Sequence, residues 1–374
     1  MKRYKKKKLK GTVLALSSSA ILASSLFLSY EVLKSEEASP AVFKEESHPL
    51  EEFNEGNVLD ILPPPKIKNP EKEEETEGKK EQAEENSRPP LEFDEEEEKS
   101  LPPIPEDCKK RVIEADLSYK DNKTFLHTHG ISLKNSTQYS NEEIAKLLDT
   151  TMKMRFKETD EPQFLIYHTH ATECFNPRDG EFYDSRYNWR SRDNTINMVS
   201  VGDAALNELK KAGIPYIHDT SQHDYPSYNG SYKNSFNSVS KILSENKEIK
   251  VALDLHRDAI EKDSGEITKP VLILEDGTKL AQVMIIANCD DGSGLIPNWR
   301  ENFRFAKELY IALEDVCPGI CRPILLANRK YNQQLSTGAL LIEVGGHGNT
   351  VPEVQRSGKV LGLALKEIYE KFKE

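Results

Sequence analysis

Cysteine is scarce in this chain, with five in 374 residues, and no two stand as Cys-x-x-Cys. A cysteine-rich zinc site is therefore unsupported. Five is an odd number, so at least one thiol stays outside any set of internal disulfides. Cys317 and Cys321, on either side of Pro318-Gly319, are the pair best placed to bridge, and Cys174 is expected as a free thiol. Long apolar runs are also few, and a mean hydropathy of -0.65 excludes a multi-span membrane protein. There is no basic patch with interleaved aromatics, so nothing points to nucleic-acid binding. No internal repeat is visible.

What charge there is lies unevenly. The length suits about two domains, and the formal net charge is -12. Residues 1–30 carry seven Lys or Arg and no acid, whereas residues 31–107 carry 25 Asp or Glu against nine Lys or Arg. The remainder, 108–374, is close to balanced. The basic residues Lys2, Arg3, Lys5 to Lys8 and Lys10 precede the charge-free stretch from Gly11 to Tyr30. As a helix that stretch is about 30 Å long, one bilayer crossing. The basic flank favours a cytoplasmic N-terminus, which puts everything after Tyr30 outside. Ala23, Ser24 and Ser25 are small enough for a cleaved signal peptide, but the apolar stretch is long for one and lacks a clear A-x-A site. An uncleaved single-pass anchor is the reading adopted. Residues 31–107, rich in Glu, Lys and Pro, cannot bury enough apolar area to offset ordering and read as a disordered, self-repelling tether.

Residues 108–374 read as one folded domain, long enough for a sizeable core. Apolar runs predict buried strands at Phe164 to Tyr167, Ile214 to Ile217, Val251 to Asp254, Val271 to Leu274, Gln282 to Ala287 and Ala339 to Glu343. Helical spacing is found at Asn197 to Ala212, Ser231 to Glu245, Asn298 to Val316 and Pro352 to Phe372. Alternation of the two predicts an α/β three-layer sandwich with a mainly parallel sheet, its chemistry gathered at the carboxyl ends of the strands.

Those ends carry ligand-type residues. His168-Thr169-His170 follows the first strand, with Glu173 three residues on; His256 lies just past Val251 to Asp254 within Asp254-Leu255-His256-Arg257-Asp258; Glu343 closes the strand that leads into Gly345-Gly346-His347-Gly348-Asn349. Imidazoles with a carboxylate form a donor set suited to Zn²⁺. A single loop histidine is more often a hydrogen-bonding surface residue, but three such clusters, each ending an apolar strand, favour a metal site. The other triplet, His127-Thr128-His129, precedes the sheet and has no following Glu, so a structural role is expected. His218 and His223 sit in a loop with Asp224 and Tyr228, where solvent-facing polar roles outweigh ligation and a substrate groove is the functional alternative.

Together these motifs resemble the stage II sporulation protein P family of bacterial cell-wall hydrolases. They are Tyr-His-Thr-His-x-Thr-Glu at 167–173, Asn197 with Val201-Gly202-Asp203, His223-Asp224 with Tyr228 to Tyr232, Asp254 to Ala259, Asn298-Trp299 with Asn302, Tyr331-Asn332, and Glu343 to Gly346 with Asn349-Thr350. The resemblance covers about 160–374. It implies an amidase-like fold and a zinc-dependent N-acetylmuramoyl-L-alanine amidase of peptidoglycan, active in forespore engulfment alongside stage II sporulation proteins D and M, with stem-peptide endopeptidase activity also associated with the family. Matching strand ends implies His170 and His256 as zinc ligands, with His168 able to replace His170. The acidic ligand is Asp193 or Glu173, and Glu343 is the catalytic carboxylate. Arg257 or His347 would stabilise the oxyanion, although a salt bridge to Asp254 or Asp258 is as good a reading of Arg257. His223, Tyr228 and Asn349 are the substrate-binding candidates. Two further classes are compatible with the sequence: a catalytically weak peptidoglycan-binding scaffold, and another metal-dependent hydrolase such as a deacetylase.

Overall fold

The computed structural model describes residues 91–93, 101–118 and 124–374. The expected anchor and most of the expected tether lie outside the described residues. Among the described residues, no helix is long and apolar enough to cross a membrane.

The described residues form twelve strands and five α-helices in the order β1 (Lys109–Ala115), β2 (Leu126–Thr128), β3 (Ile131–Ser136), α1 (Asn141–Leu147), β4 (Phe164–Tyr167), β5 (Phe182–Asp184), α2 (Met198–Lys211), β6 (Tyr216–His218), α3 (Ser231–Glu245), β7 (Val251–Asp258), β8 (Ile267–Ile273), β9 (Lys279–Ala281), β10 (Val283–Asn288), α4 (Trp299–Val316), β11 (Ile324–Ala327), β12 (Gly338–Gly346) and α5 (Val351–Phe372). Local chemistry sets the helix ends. Asn197 caps α2, its side chain accepting from Val199 N at 3.0 Å, and Glu353 reaches back to accept from Thr350 N at 3.0 Å at the start of α5, as first-turn acceptors do.

The larger sheet has eight strands in the order β2-β3-β11-β10-β12-β7-β4-β6. Here the expectation of a mainly parallel sheet needs correction, because the pairing is mixed. β2–β3 and β10–β12 are antiparallel, and the other neighbours are parallel. The reversal has a local cause. Only residues 328–337 join β11 to β12, with one 3₁₀ turn at Gln333–Leu335, whereas a parallel crossover takes a dozen or more residues. A smaller mixed sheet, β5-β1-β8-β9, draws β1 and β5 from outside the predicted strands.

Alternation along the strands separates two apolar layers. Ile166, Leu253, Leu255, Leu340, Ile342 and Val344 pack with residues of α2, α4 and α5. Leu165, Tyr167, Ala252 and Ala339 pack with Val239 of α3. Helices thus cover both faces of the large sheet. On the first face α5 lies almost backbone to backbone against α2, since a Cβ on Gly362 would come 2.1 Å from the carbonyl oxygen of Ala205. Cys317 and Cys321 do not bridge. Both are buried thiols not joined in a disulfide, and Cys321 Sγ is directed at the Tyr310 carbonyl at 3.8 Å.

Candidate active site

β4, β7 and β12 are adjacent and parallel, so their carboxyl ends meet on one edge of the sheet. Side chains alternate along a strand, so Asp254 and His256 of β7 face one side while Leu255 and Arg257 face the other. Glu343 is the register partner of His256 across β12 and shares its side. β4 ends at Tyr167, and the chain then turns over Thr169 to Thr172, with Glu173 N donating to His170 O at 3.1 Å. The turn separates the two histidines of the triplet. His170 swings to the side of His256, while His168 stays with α2, its Nε2 2.9 Å from Nε2 of His218, which in turn meets Asp203 at 3.1 Å. Gly202 gives that second pair its space, since a Cβ there would stand 2.6 Å from His218 Nε2.

Asp254 anchors the turn and orients the first cluster. Its carboxylate accepts from Thr169 N at 2.8 Å and Thr169 Oγ1 at 2.6 Å, and His256 Nε2 lies 3.0 Å from it as an ion pair. The other nitrogen of His256, Nδ1, lies 3.9 Å from Glu173 Oε2. The ring of His170 stands at 88° to that of His256, centroids 5.2 Å apart. Tyr228 stacks on His170 at 4.5 Å, and Tyr232 meets it edge-on at 5.5 Å. None of His170, Glu173, His256 and Glu343 is more than 4 % exposed. Burial opposes charge on His256, yet Asp254, with Glu173 and Glu343 behind it, outweighs burial and raises its pKa to about 9. Three carboxylates around one imidazole make a site that stabilises a cation.

The remaining predicted residues fall elsewhere. Asp193 is exposed, and its carboxylate accepts from Thr195 N and Oγ1 at 2.9 and 2.7 Å; Glu173 is the acidic candidate that stands with the buried histidines. Arg257, on the opposite face from His256, donates to the carbonyls of Cys174 at 2.7 Å and Trp189 at 3.1 Å. Its guanidinium ties down the 174–189 loop. His347 is buried with its ring against Trp189, and burial, then Arg257, push its pKa down to about 3. Asn349 stands apart from the cluster. It is buried, accepting from Gly346 N at 2.9 Å and donating to Pro270 O at 3.1 Å and Glu353 at 3.0 Å. His223 is buried against Asp219 at 3.2 Å. Tyr228 is the substrate-binding candidate that lines the cluster. Asp254 and Tyr232 are site residues that the motif reading did not single out, although Asp254 stands two positions before His256 and so on its face of β7.

Two imidazoles and a carboxylate are a donor set that zinc accepts, and the wall of carboxylates suits a cation, so the residues fit the ion. They stand more open than bound zinc would hold them. The one set of three ligand atoms lying mutually within 4.8 Å among the described residues is Glu114, Asp179 and Glu353. That acidic triad already holds a cation of the protein's own, the buried ammonium of Lys269, at 3.0, 2.7 and 2.6 Å.

Residues 39–366 match the family model for stage II sporulation protein P. The chain belongs to that family. Stage II sporulation protein P of Bacillus subtilis (strain 168) is 28 % identical over 235 residues, covering 59 % of this chain and 55 % of that protein. The chain thus spans about half the length of this curated relative. Among solved structures, the CwlD amidase of Clostridioides difficile in complex with the GerS lipoprotein is 12 % identical with a TM-score of 0.35, covering 56 % of this chain and 98 % of that one. The catalytic domain of CwlV, an N-acetylmuramoyl-L-alanine amidase from Bacillus (Paenibacillus) polymyxa var. colistinus, is 12 % identical with a TM-score of 0.31, covering 58 % of this chain and 99 % of that one. At these scores the likeness is too slight to bear on chemistry.

Proposed function

We propose that this member of the stage II sporulation protein P family is a zinc-dependent N-acetylmuramoyl-L-alanine amidase. It would cut peptidoglycan at the amide between the lactyl group of N-acetylmuramic acid and L-alanine during forespore engulfment. The observation that carries the reading is the meeting of His170, Glu173 and His256 with Glu343 at the ends of three neighbouring parallel strands. His170, Glu173 and His256 would hold the ion. A zinc ion held there would acidify the attacking water and supply a charge that polarises the carbonyl. Glu343 takes the proton of the attacking water and returns it to the leaving amine. Asp254 fixes the tautomer and angle of His256, as outer-shell carboxylates do. Tyr228 walls one side of the site through its stack on His170.

The basic flank and the apolar 11–30 stretch suit a single-pass anchor with the catalytic domain outside the cytoplasm, and residues 31–107 suit a tether that lets it reach the wall. Stage II sporulation proteins D and M are the partners that the family resemblance implies.

Digestion of purified peptidoglycan by the full chain, zinc-loaded or chelated, followed by mass spectrometry of the products, tests the activity. New lactyl ends and free alanine amino groups that vanish on chelation are expected. Intact lactyl–alanine linkages after treatment with the zinc-loaded protein would sink the amidase reading. The same digest shows whether stem-peptide crosslinks are opened.

A further inference from the structure

We propose that Arg192, which lies over the ring of Tyr225, is a specificity-determining contact that reads the first carboxylate of the stem peptide; the inference rests on the amidase reading above. The residues form a ladder leading outward from the cluster. Tyr228 stacks on His170 at 4.5 Å, the guanidinium of Arg190 covers Tyr228 at 4.7 Å, and two residues further on the guanidinium of Arg192 covers Tyr225 at 4.1 Å. The two loops that carry these pairs are joined through Gln222. Its Nε2 donates to Arg192 O at 2.9 Å and to Asn194 at 3.1 Å, while its Oε1 accepts from Arg192 Nε at 3.3 Å.

Charge accounting distinguishes Arg192 from its neighbours. Arg190 is matched by buried Asp224 at 2.8 Å, with Glu173 at 3.8 Å, and Arg186 by Asp184 at 2.7 Å. Among the described residues no carboxylate pairs with Arg192, which binds only the neutral Gln222 amide and the Tyr225 face. Tyr225 itself is 50 % exposed, a large aromatic left on the surface beside a buried site. With Nε of Arg192 on Gln222, its two terminal nitrogens are left to meet a ligand, and that planar fork matches a carboxylate with two parallel hydrogen bonds.

The chemistry of the substrate supplies the matching group. In peptidoglycan the residue after the alanine carries a carboxyl group, free in some walls and amidated in others. Arg190 and Arg192 are two residues apart in the chain, so the second pair stands within about 7 Å of backbone from the first, the length of two residues of an extended peptide, and a stem leaving the cluster past Tyr228 meets Arg192 within its first few residues. Arg192 then favours stems whose second residue keeps a free carboxylate, and Tyr225 sets the plane in which it is read.

Calorimetric binding of two synthetic stem tripeptides to the zinc-loaded full chain tests this without requiring turnover; one tripeptide has a free second carboxyl and the other has it amidated. The wild type should bind the free acid about tenfold more tightly, the discrimination of one charge-assisted contact. Arg192→Gln should bring the two affinities together, and Arg192→Lys, which keeps the charge and loses the fork, should keep only part of the preference. Equal affinities in the wild type, or an undiminished preference in Arg192→Gln with an unchanged circular dichroism spectrum, would overturn the proposal. A wild type that shows the preference but leaves peptidoglycan uncut would support the contact while removing the amidase reading, so the two failures are distinct.

Discussion

Asp254 is the residue on which the geometry of the cluster depends, and its replacement by alanine should be among the costliest single changes in the domain. Its buried carboxylate accepts two hydrogen bonds, from Thr169 N and Thr169 Oγ1, and pairs with His256 Nε2 at 3.0 Å. Removing it takes the carboxylate from the buried Thr169 N–H and from the buried imidazole of His256, while Thr169 Oγ1 keeps Ser235 at 2.8 Å, and the expected total is roughly 3–5 kcal/mol. With a urea m-value of about 3 kcal/mol per M for a domain of this size, the midpoint should fall by roughly 1–1.7 M. Urea unfolding of the full chain can be followed by tryptophan fluorescence, because the two tryptophans, Trp189 and Trp299, both lie in the folded part. Thr169→Val closes a double-mutant cycle. It removes the hydroxyl that bonds Asp254 at 2.6 Å, so its cost should shrink by about 1–2 kcal/mol in the Asp254→Ala background. An Asp254→Ala loss below about 1 kcal/mol, or strict additivity of the two changes, would refute the role given to this carboxylate.

Three further expectations follow from the packing and the charges. Gly362→Ala should destabilise by roughly 1–3 kcal/mol through overpacking against the Ala205 backbone, despite the ~1 kcal/mol by which alanine is the better helix former; an unchanged melting temperature would show that α2 and α5 part freely. Burial raises the pKa of Asp179, but its bonds to Lys269 and Lys279 outweigh this and lower it to about 2, below the unfolded value of about 3.9. Its contribution is therefore complete above pH about 4 and lost as pH falls towards 2, so the gap in melting temperature between the wild type and Asp179→Asn should close over that window, and a gap constant with pH would count against the ion-pair nest. Titration of denatured, unreduced protein with a thiol reagent should find all five thiols; three would restore the Cys317–Cys321 bridge.

Apolar runs marked out β4, β7 and β12, and helical spacing placed α3 over Ser231–Glu245, the span seen in the structure. That was enough to bring His170, His256 and Glu343 to one edge, because parallel neighbours end together. The choice between His168 and His170, and between Glu173 and Asp193, was not legible, since it depends on a turn over Thr169 to Thr172 that Asp254 holds from another strand. Arg257 could have been read correctly, as period-two alternation already puts it opposite His256. β1 and β5 gave little signal because β1 is largely charged, β5 is only three residues long and the two pair at long range, and the Lys269 nest joins residues far apart in sequence. The direction of β12 depended on the length of the connection before it rather than on its own residues.

The central claim is that His170, Glu173 and His256 hold one zinc ion while Glu343 stands by as the base. Zinc content per chain, measured by mass spectrometry of the metal after equilibration of full-length variants against a weak chelator, tests it most directly. The wild type, Asp193→Asn and Glu343→Gln should each retain one equivalent, and His170→Ala, Glu173→Gln and His256→Ala should each lose it. Zinc retained by Glu173→Gln and lost by Asp193→Asn or Glu343→Gln would contradict the account.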